Sequence, residues 1–109
     1  MMEKLHDAIK EHSDLEDANI IDAGVHGADA GFGGFTYDID CIEFWDNNSA
    51  LIQEFSQEEA EEFGHANWLE LYSTFGRKDM LDSEDGYKVL GAWFVLEAVG
   101  RWLEDKQEA

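Results

Sequence analysis

The stretch Tyr87-Lys-Val-Leu-Gly-Ala-Trp-Phe-Val-Leu-Glu-Ala-Val-Gly-Arg-Trp102 decides the fold. It is apolar almost all round from Tyr87 to Val99, yet Glu97, Arg101 and Glu104 stand at i, i+4 and i+7. That pattern predicts a mostly buried central helix from Ser83 to about Lys106 with a narrow solvated stripe. Gly91 and Gly100 each cost roughly 1 kcal/mol in a helix interior. Their presence predicts close approach of a neighbouring element at those points.

A central helix needs others around it, and the chain supplies them. From Ser49 to Phe63, Ile52, Phe55, Ala60 and Phe63 follow helical spacing; Ser49 is a good cap and Gly64 sits where a left-handed C′ residue belongs. Asn67 is placed to cap a short helix holding Trp68, Leu69, Leu71, Tyr72 and Phe75, closed by Gly76, and Arg77 to Gly86 reads as a polar loop. Upstream, Thr36 suits the N-cap of a helix from Tyr37 to Asp46 containing Ile39, Ile42, Phe44 and Trp45, which Asn47-Asn48-Ser49 then breaks. Phe35-Thr-Tyr37 fits the start of a short strand equally well. Met2 to His12 places Leu5, Ala8, Ile9 and His12 on one face, and Ser13 is suited to cap a further helix through Ile21, aligning Leu15, Ala18 and Ile21. One bent helix or two would satisfy that pattern. No proline interrupts the chain. The expected fold is mainly α: a compact, single-domain helical unit over residues 1–109, with a Gly-rich loop and room for one short β-hairpin or strand.

Apolar residues make up 44% of the chain and aromatics 13%, which excludes the low hydrophobicity of a disordered chain despite the charge. No run of about 18 apolar residues is available to span a bilayer, and Met-Met-Glu-Lys-Leu-His-Asp7 lacks the apolar core of a signal peptide. A cytoplasmic location is expected. Cys41, the only cysteine, permits no internal disulfide and reads as a small buried apolar residue before a reactive thiol. The net charge is −19, and the interval from Lys10 to Arg77 holds sixteen Asp and Glu and no intervening Lys or Arg. Such a field repels nucleic acid and anionic membrane and attracts basic partners.

The glycines between Gly24 and Gly34 raise the possibility of a phosphate cradle. However, Gly31-Phe-Gly33-Gly34-Phe-Thr36 has neither the dinucleotide fingerprint nor a P-loop lysine, and Asp29 would meet the phosphate with negative charge. The better reading is that these glycines supply unusual backbone angles and let Phe32, Phe35 and Tyr37 pack. Asp82-Ser-Glu84-Asp85-Gly86 fails the EF-hand register: counting back from Gly86 puts Leu81 at the first ligand position. His6, His12, His26 and His65 have no metal-binding spacing, and no nucleophile motif is present. No cofactor, metal or catalytic residue is expected, and the chain reads as a non-enzyme.

What remains is the placement of the acids. Glu54, Glu58, Glu61 and Glu62 lie at i, i+4, i+7 and i+8. Each like-charge neighbour pair costs about 0.2–0.5 kcal/mol, and Glu61 and Glu62 fall in the last turn, where the dipole disfavours anions. Carboxylates one turn apart are about 5–6 Å from one another, comparable with successive phosphates.

The segment Ala28-Asp-Ala-Gly-Phe-Gly-Gly-Phe-Thr-Tyr37, continuing through Ile42-Glu-Phe-Trp45 into the helix at Ile52, resembles small acidic uncharacterised proteins of bacteriophages and mobile elements. In size and charge the chain is also similar to phage-encoded DNA mimics, the anti-restriction and anti-CRISPR inhibitors. These likenesses imply a non-enzymatic inhibitor that occupies the DNA-binding channel of a host defence complex, in the host cytoplasm. Its expected partner is a basic nucleic-acid-binding protein, with no direct contact to nucleic acid or membrane. Glu54, Glu58, Glu59, Glu61 and Glu62 are the first expected contacts; Asp38, Asp40 and Asp46 are the second. An acidic adaptor for another basic protein, and charge that serves only solubility or high salt, are the competing readings.

Overall fold

The run around Val95 is the central helix its composition predicts. A computed structural model describes residues 1–13, 16–26, 40–74 and 81–108. Five helices lie wholly among the described residues: α1 (Met2–His12), α2 (Asp17–His26), α3 (Cys41–Glu62), α4 (Trp68–Ser73) and α5 (Gly86–Glu108); Leu81 and Asp82, in the stretch expected as a loop, are helical too. The fold is mainly α, and no strand occurs among the described residues. The glycine segment and the strand alternative at Phe35-Thr-Tyr37 lie outside them, apart from Gly24, which belongs to α2.

Helix α5 contacts every other helix, α2 and α3 most extensively. It buries Leu90, Ala92, Val95, Leu96, Val99 and Leu103. Against them pack Leu5 and Ile9 of α1, Ile20 of α2, Phe44, Trp45, Ile52 and Phe55 of α3, and Leu71 and Tyr72 of α4. The solvated stripe is present too, with Arg101 Nη2 3.1 Å from Glu97 Oε1.

At Gly91 the Trp45 side chain of α3 lies against α5. A Cβ at Gly91 would stand 2.6 Å from Trp45 Cε3 and 2.9 Å from the Tyr72 hydroxyl. Only a residue without a side chain lets the indole lie against the α5 backbone. Trp45 in turn meets Trp68, Tyr72 and Tyr87 at centroid separations of 5.5, 6.4 and 5.4 Å, offset or edge-on as ring quadrupoles prefer.

Several boundaries differ from those expected. Ser13 does not cap a second helix; it closes the first, both its N–H and its hydroxyl donating to the Ile9 carbonyl at 3.0 Å. The chain makes two helices here, and α2 starts at Asp17 and runs five residues past Ile21. The Asn19 side chain reaches back to accept from the Glu16 N–H at 3.3 Å, a reciprocal cap no hydrophobic pattern reveals. His6 Nε2 donates to Asp17 Oδ1 at 2.8 Å, joining α1 to α2, and this bond holds the Asp17 carboxyl below its ordinary range.

Helix α3 starts at Cys41 rather than Tyr37, with Asp40 as N-cap accepting from the Glu43 N–H at 3.0 Å. It is interrupted at the expected Asn47-Asn48-Ser49 break, where two helical segments join across a kink. Asn48 leaves helical geometry (φ −131°, ψ 23°), but its side-chain amide donates to the Phe44 carbonyl at 3.1 Å. The Asn-Asn-Ser sequence therefore kinks the helix at the expected break. The bend lets Phe44 and Trp45 before it and Ile52 and Phe55 after it reach one core.

A buried polar pair joins two elements. Ser56 Oγ and Tyr72 Oη lie 2.5 Å apart between α3 and α4, and burial pushes the Tyr72 hydroxyl pKa up. Cys41 is the buried residue its isolation suggested, at 5% exposure. Burial, reinforced by the Asp40 charge, pushes its thiol pKa up to about 11.

Candidate functional site

Helix α3 is the element that differs electrostatically from its neighbours. Helices α1 and α5 interleave acids with Lys4, Lys10, Lys88, Arg101 and Lys106, whereas α3 carries seven acids and neither Lys nor Arg. Exposed acids such as Glu3, Asp7 and Glu11 occur on α1 as well. Helix α2 also lacks Lys and Arg but carries only Asp17 and Asp22, so α3 holds the largest set of acids without an interleaved cation among the described helices.

The five glutamates expected as first contacts separate into two groups. Glu54, Glu58, Glu61 and Glu62 are exposed, and among the described residues no cation pairs with them. Glu61 accepts a long hydrogen bond of 3.5 Å from Gln57. Glu59 turns aside and is half-buried. Burial, then the charges of Glu62 and Glu58, push its carboxyl pKa upward.

The second group is occupied with structure. Asp40 caps α3, and Asp46 Oδ1 accepts from Lys88 Nζ at 2.8 Å, an ion pair between the exposed ends of α3 and α5. Asp38 lies outside the described residues. Asp40 and Asp46 thus have local partners, whereas among the described residues no cation pairs with the glutamates of the last turns.

The end of α3 is tightly defined. Gly64 takes φ +84°, the His65 N–H donates to the Ala60 carbonyl at 2.8 Å and the Gly64 N–H to Glu61 at 3.2 Å, a Schellman closure. Asn67 then caps α4 by accepting from the Glu70 N–H at 2.9 Å, while Glu70 accepts from the Ala66 N–H at 3.2 Å. The Gln57 side-chain oxygen accepts from the Trp68 N–H at 3.2 Å, fastening the turn to α3. Helix α4 ends at Ser73; Gly76, its expected stop, lies outside the described residues.

Phe63 does not join the core, contrary to its helical spacing with Ile52 and Phe55. It is the C-cap residue of α3, no longer on the helix track, and is 64% exposed. Beside it opens a groove of about 620 Å³ between α3, α4 and α5. Phe55, Phe63, Leu71, Phe94 and Ala98 give it an apolar lining; Glu59, Glu97 and Arg101 line it as well. The hydrophobic pattern gave no warning of this groove. The only signal was the position of Phe63 directly before the terminating glycine.

Among the described residues no three His, Cys, Asp or Glu side chains converge as metal ligands, and no helix is long and apolar enough to cross a membrane. The arrangement sets an exposed negative surface next to an apolar recess. No curated protein and no solved structure matches this chain. The model of a family described as a domain of unknown function, DUF7222, matches residues 2–109, and the chain belongs to that family.

Proposed function

We propose that this protein is a non-enzymatic binding protein that competes with nucleic acid for a basic surface of its partner, its acidic end of α3 standing in for phosphates. The observation that carries this reading is the exposed row Glu54, Glu58, Glu61 and Glu62, unpaired by any cation among the described residues, with Glu61 and Glu62 in the last turn, where the helix dipole opposes them. A DNA-binding defence complex is the partner to test first, given the likeness to small phage proteins. The exposed Phe63 also favours a second reading, an acidic adaptor that docks on a basic protein without displacing nucleic acid.

The test is affinity capture at low salt from a bacterial lysate, then competition between each captured DNA-binding protein and its DNA. Competition should weaken with salt, because exposed charges are screened beyond about 8–10 Å at physiological ionic strength. The double substitution Glu58→Gln, Glu62→Gln should weaken competition severalfold without lowering the thermal midpoint. Undiminished competition by that variant refutes the mechanism. Capture without loss of DNA binding supports the adaptor reading.

A further inference from the structure

We infer that the groove beside Phe63 receives a large apolar side chain from a basic amphipathic helix of the partner, whose lysines or arginines meet Glu58, Glu59 and Glu62. This rests on the proposed function and names how the partner is held.

The groove has the capacity of a specific site: about 620 Å³, within the roughly 300–1,000 Å³ of ligand pockets. Its lining by Phe55, Phe63, Leu71, Phe94 and Ala98 suits an apolar anchor. Of the basic groups lining the groove, Arg101 already faces Glu97 at 3.1 Å and His65 faces Glu70 at 3.4 Å. Glu59 has no cation among the described residues, and its partial burial beside Glu58 and Glu62 makes its charge unfavourable until one arrives.

Charge selects the occupant. A second copy would bring another net charge of −19 against the same acids, and nucleic acid or an anionic lipid surface would be repelled likewise. A basic helix inverts the sign of every one of those contacts. Its cations at i and i+4 are spaced about 5–6 Å apart, as Glu58 and Glu62 are, while an apolar residue on the same side enters the recess.

The experiment uses the full chain and two helical peptides of identical lysine and arginine content, one with phenylalanine at the anchor position and one with asparagine. Fluorescence anisotropy should show the phenylalanine peptide binding at least tenfold more tightly. The ratio between them should persist at about 0.5 M salt, because screening weakens the charge contacts both share. Phe63→Ser, at an exposed position, and Ala98→Phe, which fills the groove, should each abolish the difference. Equal affinity of the two peptides overturns the groove inference and leaves the acidic-face reading standing. No binding of either peptide overturns both. Self-association of the protein that Ala98→Phe removes would identify a second copy as the occupant and overturn the inference.

Discussion

Replacing Gly91 with alanine sets two opposed effects against each other, and the geometry decides between them. Alanine is favoured over glycine in a helix interior by about 1 kcal/mol, so at an uncrowded site the change would stabilise α5. Here the new methyl would stand 2.6 Å from Trp45 Cε3 and 2.9 Å from the Tyr72 hydroxyl. The indole has little room to retreat, since Trp68 and Tyr87 contact its ring and it is only 3% exposed. Tyr72 is held in turn by Ser56. Overpacking of this kind costs about 1–3 kcal/mol, occasionally more, and the absence of a retreat places Gly91→Ala at or above the upper end. The net expectation is destabilisation by about 2 kcal/mol. At about 2.1 cal/mol/K of unfolding entropy per residue, that lowers the midpoint by about 9 °C. Calorimetry measures the shift, and a double-mutant cycle with Trp45→Phe measures its cause. Phenylalanine withdraws ring atoms from the site, so the Gly91→Ala penalty should shrink in that background, with a coupling of about 1 kcal/mol or more. An unchanged or raised midpoint for Gly91→Ala, or strict additivity in the cycle, would refute the account of close packing given above.

Tyr72→Phe should destabilise by about 1–3 kcal/mol because it leaves the buried Ser56 hydroxyl without its partner. The double variant Ser56→Ala, Tyr72→Phe should recover part of that loss in chemical denaturation, since both polar groups are then gone. Cys41 should make the fold sensitive to alkali. Its folded thiol titrates at about 11 against an ordinary 9.0. The stability this confers is complete below pH 9 and lost as pH rises toward 11, by about 2–3 kcal/mol. Urea melts of the native protein and Cys41→Ala across that window should diverge, with the shallower dependence in the variant; parallel curves would contradict the burial of the thiol.

Legibility in the sequence followed the kind of physics involved. The central helix was readable because an apolar run with a narrow charged stripe has one economical solution, and the Gly91 contact because glycine in a helix interior needs a reason. Gly64 and Asn67 were readable because left-handed backbone and N-caps each select a short list of residues. Helix boundaries at Asp17 and Cys41 were not, because Asn19 and Asp40 act through individual hydrogen bonds that leave no period. Asn48 was readable as the break, but its sequence signature does not say that its amide ties the two segments together across the kink. Among the acids, the sequence picked out α3 but grouped Glu59 with its neighbours; separating it requires knowing which side of the helix faces α5 and α4.

The division of labour along α3 bears on why its charge is kept. Acid near its start is locally useful: Asp40 caps the helix and Asp46 pairs with Lys88. Acid in its last turns is locally harmful. Glu54–Glu58, Glu58–Glu61, Glu58–Glu62 and Glu59–Glu62 are like-charge neighbours at i, i+3 or i, i+4, together opposing the helix by about 1–2 kcal/mol. The dipole adds roughly 0.3–1 kcal/mol for each anion in the last turn before screening. Against a total stability of about 5–15 kcal/mol, that is a substantial burden. Solubility alone would be served as well by the same acids placed near a helix start, or interleaved with lysine as on α1. On the proposed function, a basic partner that removes the repulsion on binding to these carboxylates, beside the exposed Phe63, would turn the local cost into part of the affinity.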